Sequence, residues 1–373
     1  MPITLPAHSP RTRSLTDVVP EMFRSLRGEG TWLRPVRSTV LVMLDGVGAA
    51  QLRARAGHAR FLASVGGPRD VARTTFPSTT ASALTSLLTA TSPGRNGMLG
   101  YRVRVPETGR IANLLHGWED GDLPSDWQPE TPLTRPQTQH GPVYVVSKPE
   151  FATSGFTRAT TDGAEFIGVA DLDDRIARAG AIAAQHPGSF TYLYVPELDG
   201  IGHRVGWESG AWTDGLERVD AALRDLAQAA PQAGLLITAD HGMIDVPASR
   251  HVLLDDGDPR IEGVADIAGE PRMLHLYTQP QAADAVAGVW RAADAERAWV
   301  MTRDEAIAAG VFGTVNPDMV ERIGDVLVAA RARVAYYDNR LDDRSPQRMV
   351  GQHGSLTLEE SVVPLLRAGA YAA

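Results

Sequence analysis

The chain has 373 residues, 43% hydrophobic and 22% charged, with a formal net charge of −9 and no cysteine. The acidity argues against a nucleic-acid polymer as partner. The missing cysteines exclude disulfides, thiolate metal sites and cysteine nucleophiles. No apolar run reaches the roughly 18 residues of a membrane span. The N-terminal stretch lacks the apolar segment of a secretory signal, so the cytoplasm is the expected location. Lys148 is the single lysine; every other residue of the 36 Lys+Arg is arginine.

In chain order, residues 1–36 read as an extended Pro- and Arg-rich arm with a short helix. "STVLVMLDGVG" is an apolar run that ends in Asp-Gly, the pattern of a buried parallel strand delivering Asp45 at its C-terminal end. "RTTFPSTTASALTSLLTA" (73–90) follows, a polar helix entrance with many hydroxyls. "PVYVVSKP" is a strand ending at Lys148, "SFTYLYVPELDG" one ending at Asp199, and "GLLITADHGM" one delivering Asp240 and His241. Helical periodicity over 171–186 and 214–229 separates them. Strands alternating with helices predict a mostly parallel sheet with helices on both faces, and ligands bind beyond the carboxyl ends of such strands. Residues from about 255 to 325 read as an inserted α+β cap of alternating strand and helix patterns. The core is expected to resume with a hairpin over 324–338 and to end in a short helix and an edge segment. The whole chain thus reads as one catalytic domain, 1–373, with an inserted cap.

The acidic and imidazole residues cluster at the predicted strand ends. Asp199 and His203 lie four apart, and a tight backbone turn at Gly200 and Gly202 is expected to bring them to one ion. Asp240-His241 is a second pair, because a charged pair straight after an apolar strand is costly unless it is used. With Asp45, and with His353 in "GQHGS", the set holds three aspartates and three histidines. Carboxylate and imidazole without thiolate suit zinc, manganese or iron. Three carboxylates plus one ionised hydroxyl carry about −4, which balances two divalent cations, a common device for phosphoryl transfer. His8, His58, His140 and His186 read as surface or loop residues. His116, His251 and His275 read as core or near-site residues that no pattern selects.

These stretches resemble the alkaline phosphatase superfamily, and within it the nucleotide pyrophosphatase/phosphodiesterase branch. The matching segments are "VMLDGVG", the Thr-rich helix entrance, "SPGRNGMLGY", "VPELDGIGHRVG", "TADHGM" and "GQHGS", in the family's order over residues 40–354. The resemblance implies an alkaline phosphatase-like three-layer α/β/α sandwich with two metal ions, usually Zn2+. Asp199, His203 and His353 would hold one ion; Asp45, Asp240 and His241 would hold the other, beside the nucleophile. It further implies attack on phosphorus by a Ser or Thr at a helix N-terminus, with a covalent phospho-enzyme intermediate. The substrate would be a small-molecule phosphate ester or nucleotide.

Which hydroxyl attacks is open to two alignments. "TFPS" resembles the Thr-Phe-Pro-Asn of the eukaryotic-type phosphodiesterases and points to Thr75. Counting nine residues back from Thr89, as the superfamily's helix does, points to Thr80. Pro77 favours the second alignment, because proline sits well just before a helix and poorly inside one. Ser78 or Thr79 is then the N-cap and Thr80 lies in the first turn. Thr80 is preferred, with Thr79 and Thr75 as alternatives.

Departures from the family pattern touch substrate binding. Tyr101 stands where the phosphodiesterase branch has a phosphate-contacting Asn, and Arg102 and Arg104 follow as possible sources of charge. Lys148 lies near the position of substrate lysines in phosphonoacetate hydrolases. Ala90 replaces the usual glycine after Thr89. The preferred activity is cleavage of phosphodiester or nucleotide pyrophosphate bonds. A phosphomonoesterase or phosphonate hydrolase of the same superfamily is the alternative, and a non-catalytic metal-binding protein is the alternative of another class.

Overall fold

A computed structural model describes residues 5–6 and 12–372. Of the N-terminal arm, residues 1–4 and 7–11, with His8, lie outside the described residues. An eight-stranded sheet forms the centre. Its order is Arg13–Ser14, Val71–Arg73, Val362–Gly369, Ala233–Thr238, Ser38–Leu44, Phe190–Val195, Val143–Ser147 and Glu165–Gly168. The last five strands run parallel. Every residue of Ser38–Leu44 is buried, as a strand covered on both faces must be.

Helices cover both faces. In register, Thr39 lies opposite Phe190 and Leu41 opposite Tyr192. Phe23 of the Val18–Leu26 helix meets Phe190 edge-on at 4.9 Å between ring centroids. Ser38, on the opposite face, donates its hydroxyl hydrogen bond to Ala183 O of the Leu172–Gln185 helix. The helices Val18–Leu26, Thr80–Thr89 and Gly155–Thr161 thus form one layer; Leu172–Gln185 and Gly210–Ala229 pack together in the other. This is the three-layer α/β/α sandwich.

A second, antiparallel sheet has the order Val264–Glu270, Met273–Thr278, Val326–Ala330, Ala298–Thr302. The hairpin expected over 324–338 does not form. Val326–Ala330 pairs with both Met273–Thr278 and Ala298–Thr302, whereas Ala335–Asp338 pairs in parallel with His251–Leu254. Alternating apolar residues mark a strand but not its partner, and here each strand pairs with segments distant in sequence. The C-terminal strand is also not an edge. Val362–Gly369 inserts antiparallel between Val71–Arg73 and Ala233–Thr238. No helix among the described residues is long and apolar enough to cross a membrane.

The Thr80–Thr89 helix ends at Ala90 with φ 56° and ψ 30°, a left-handed cap that normally falls to glycine. An L-alanine pays for that conformation through its Cβ. Ala90→Gly is expected to stabilise the protein by about 0.5–1 kcal/mol once the greater flexibility of unfolded glycine is counted. Thermal unfolding of the two proteins checks this.

Candidate functional site

Three neighbouring parallel strands, Ala233–Thr238, Ser38–Leu44 and Phe190–Val195, deliver the acidic residues at one edge of the sheet. Asp45 follows Leu44 directly, and its N–H is held by Val195 O at 3.1 Å. Asp240 follows the next strand, and its Oδ1 accepts from the amides of Gly46 (3.2 Å) and His241 (3.0 Å). Gly46 has φ +72°, and a Cβ there would lie 2.9 Å from Asp199 Oδ1, so the approach of the Asp45 and Asp199 segments requires glycine.

Asp199 and His203 converge differently from expectation. No tight turn joins them: Glu197–Val205 is an α-helix, and the pair sits at i,i+4 on one face, with Asp199 Oδ1 3.4 Å from His203 Nε2. Gly202 serves packing instead, since a Cβ there would meet Met243 Sδ at 2.5 Å.

The three histidines share one orientation device. His203 Nδ1 donates to Gly351 O at 2.8 Å, His353 Nδ1 to Ser78 O at 2.9 Å, and His241 Nδ1 to Gly242 O at 3.1 Å. A carbonyl can only accept, so each neutral ring carries its proton on Nδ1 and turns the lone pair of Nε2 into the cluster. His353 Nε2 lies 3.3 Å from His203 Nε2. His241 Nε2 lies 3.4 Å from Asp45 Oδ1, 3.5 Å from Asp240 Oδ2 and 3.3 Å from Thr80 Oγ1. The rings of His241 and His353 stack at 3.6 Å.

This donor set fits divalent cations. Asp45 Oδ1, Asp199 Oδ1 and Asp240 Oδ2 are buried and have no hydrogen-bond partner. Lone pairs facing one another at such distances need a cation between them. Burial and the neighbouring charges of Asp240 and Asp199 push the Asp45 carboxyl well above its usual range. Burial, then the His241 and His203 rings, push His353 well below its own. Two groups have mutually close ligand atoms: Asp45, Asp240 and His241, and Asp199, His241 and His353. His203 adjoins the second through its contacts with Asp199 and His353.

Thr80 is the first residue of the Thr80–Thr89 helix, with Thr79 as N-cap. The other candidate hydroxyls are engaged elsewhere. Thr79 donates to Ser82 Oγ (3.4 Å), Thr75 to Pro77 O (3.2 Å) and Ser78 to Ser355 O (2.8 Å). Thr79 and Ser78 are also fully buried.

Beside Thr80 opens a cavity of about 320 Å³. Asp45, Thr80 and Asp199 line it, together with the apolar Leu84, Leu88, Val145, Phe151, Phe156 and Phe166. No lysine or arginine among the described residues lines it. Its lining includes Tyr192 and Tyr194, which sequence reasoning missed. Tyr194 donates its hydroxyl to Asp45 Oδ2. Both tyrosines lie on the sheet face opposite Leu193, so period-two alternation in "FTYLYV" could have flagged them.

Tyr101 and Lys148 do not line this cavity. Tyr101 lies on the side of the antiparallel sheet, its N–H bonded to Glu270 Oε2 at 3.0 Å. Lys148 sits 3.8 Å from Glu197. Arg104 turns away, over the Tyr277 ring and 3.7 Å from Asp266. Among the unselected histidines, His116 lines the cavity, whereas His275 is buried between Leu99 O and the Gly324 N–H, and burial takes it to about 4.

The model of the family described as type I phosphodiesterase / nucleotide pyrophosphatase matches residues 39–356. No curated protein matches the sequence at a significant level. Solved structures share the fold at low identity. Murine ectonucleotide pyrophosphatase / phosphodiesterase 5, in an inactive form in complex with AMP, is 18% identical with a TM-score of 0.68, covering 89% of this chain and 88% of that one. The human counterpart gives 18%, 0.68, 89% and 87%. Phosphonoacetate hydrolase from Sinorhizobium meliloti 1021, in complex with phosphonoacetate, gives 17%, 0.69, 90% and 91%.

Chelation is expected to lower the melting temperature at pH 7.5, with Zn2+ or Mn2+ restoring it. Protons compete with an ion for the Asp45 carboxylate, whose affinity for them burial and the neighbouring aspartates raise. The stabilisation from metal should therefore shrink as pH falls towards 5. Melting curves of loaded and chelated protein across pH check both; a metal-independent melting point contradicts the fit.

Proposed function

Because this chain belongs to the type I phosphodiesterase / nucleotide pyrophosphatase family, we propose that it is a two-metal phosphohydrolase cleaving phosphodiester or nucleotide pyrophosphate bonds through a phospho-threonine intermediate on Thr80. The observation that carries this reading is the position of Thr80. Its Oγ1 faces the carboxylate–imidazole cluster at 3.3 Å from His241 Nε2 and also opens on the cavity.

Asp45, Asp240 and His241 would hold one ion, and Asp199, His203 and His353 the other. Two divalent ions, Zn2+ by the family's habit, would supply Lewis acidity and balance the negative charge on the attacking and leaving oxygens. The residues of the chain do the rest. The first amides of the Thr80–Thr89 helix have no intrahelical acceptor, and the Thr79 side chain caps none of them. They and the helix dipole form a cradle for phosphate oxygens. Thr80 Oγ1 attacks phosphorus; the new O–P bond forms as the bond to the leaving oxygen breaks. Water then attacks the phospho-threonine and returns the free hydroxyl. Tyr194 orients Asp45 through its hydroxyl.

The cavity favours an ester bearing an organic group, such as a nucleoside, over a substrate that presents a second anion. Its walls are mostly aliphatic and aromatic, with serine and threonine hydroxyls and His116 among them, and no lysine or arginine among the described residues lines them. A phosphonate with its own carboxylate would need Lys148, which is engaged by Glu197.

Thr80→Ala is expected to reduce hydrolysis of bis-p-nitrophenyl phosphate about a thousandfold or more, while Thr80→Ser, Thr79→Ala and Thr75→Ala remain active. Quenched reactions should leave a phosphoryl group on the Thr80 peptide by mass spectrometry. Rates on the diester, on p-nitrophenyl phosphate and on phosphonoacetate should fall in that order. A metal-loaded protein that cleaves neither the diester nor a dinucleotide would refute the reading.

A further inference from the structure

The antiparallel sheet reaches the candidate site through one fully buried ion pair. Arg272, in the turn between Val264–Glu270 and Met273–Thr278, donates from Nε to Glu360 Oε1 and from Nη2 to Glu360 Oε2, both at 2.8 Å. Both side chains are 0% exposed. The remaining Arg272 donors are fixed by Ala332 O (2.9 Å), Val334 O (2.8 Å) and Ala330 O (3.4 Å).

Glu360 then holds the segment that follows His353. Its Oε1 accepts from Ser355 N–H at 3.0 Å and its Oε2 from Thr357 Oγ1 at 2.6 Å. Ser355 and Gly354 are tied to Ser78. Gly354 O accepts from Ser78 N–H (3.1 Å), Ser78 Oγ accepts from Gly354 N–H (3.2 Å), and Ser78 donates to Ser355 O (2.8 Å). Ser78 O in turn fixes His353 Nδ1, two residues ahead of Thr80. Glu270, from the same turn as Arg272, packs its Cγ so closely on Gly354 that a Cβ there would lie 2.5 Å away. One connected chain of contacts therefore runs from the antiparallel sheet, through Arg272, Glu360 and Ser355, to His353 and the start of the Thr80 helix.

We propose that Arg272 and Glu360 are positioning residues: the antiparallel sheet sets the place of His353, and thereby the metal affinity of its side of the cluster. A buried ion pair is weak support for stability, because apolar replacement of both partners is often neutral. A pair whose carboxylate spends two further bonds on the turn beside a metal-ligating imidazole has a geometric task. The proposal rests on the metal-centre reading of the site.

The test uses full-length protein stripped of metal and titrated with Zn2+, with kcat and KM read on bis-p-nitrophenyl phosphate. Wild type is expected to take up two equivalents. Glu360→Gln, and the double variant Arg272→Met/Glu360→Leu, should fold and bind one equivalent as wild type does and the other about 10- to 100-fold more weakly. In both, kcat should fall with KM little moved, and the milder Arg272→Lys should recover part of the loss. Variants that melt earlier yet bind both equivalents with wild-type affinity would make the pair merely structural and overturn the proposal. Wild-type protein that binds no metal would overturn the site reading, and the positioning role with it.

Discussion

Everything at the site follows from a concentration of like groups. Three carboxylates and three imidazole Nε2 atoms converge, with Asp45, Asp240 and His241 buried and Asp199, His203 and His353 half-buried. Three carboxylate oxygens there have no hydrogen-bond partner. In a low-dielectric interior such a cluster is strongly unfavourable on its own, as the raised Asp45 and lowered His353 show. The strain is not relieved by arginine or lysine, although the chain is rich in arginine. A donor set left so bare is suited to cations that can be bound from several sides.

The rest of the fold works to hold that cluster rigid. The central parallel strands contribute an acid at, or just beyond, each carboxyl end. Backbone carbonyls of Ser78, Gly242 and Gly351 fix the three rings, so ring orientation depends on main chain rather than on flexible side chains. That arrangement makes the site sensitive to changes some distance away, wherever they shift those carbonyls.

Much of this was legible in the sequence because the cluster is delivered by short apolar runs that end in charge. "VMLDG" and "TADHG" carry both a strand and its consequence, so Asp45, Asp240 and His241 could each be placed at a strand end; their grouping around one ion came from the family resemblance. Asp199 and His203 were paired for a mistaken reason. The two glycines pointed to a turn, whereas the i,i+4 spacing fits a helix, and Gly202 answers to Met243. What the sequence hid is long-range pairing. The interior place of Val362–Gly369, the split of 324–338 between two sheets and the meeting of Arg272 with Glu360 depend on partners far along the chain. No local periodicity encodes those partners. Tyr194 lay between the two cases: its alternation was visible, but its bond to Asp45 was not.

The Thr80–Thr89 helix joins the chemistry of the site to its binding cavity. Thr80, Leu84 and Leu88 follow one another at i, i+4 and i+8, and all three line the cavity. One helix face thus carries the proposed nucleophile at its N-terminal end and an apolar wall along its length. The opposing wall comes from Val145, Tyr192 and Tyr194 on neighbouring parallel strands. A phosphorus held at the helix N-terminus, as proposed, would bring one of its organic groups against these two walls. Changing the walls should alter which ester is accepted while leaving the cluster intact, because among the described residues no wall side chain other than that of Tyr194 bonds to a proposed metal ligand or to Thr80.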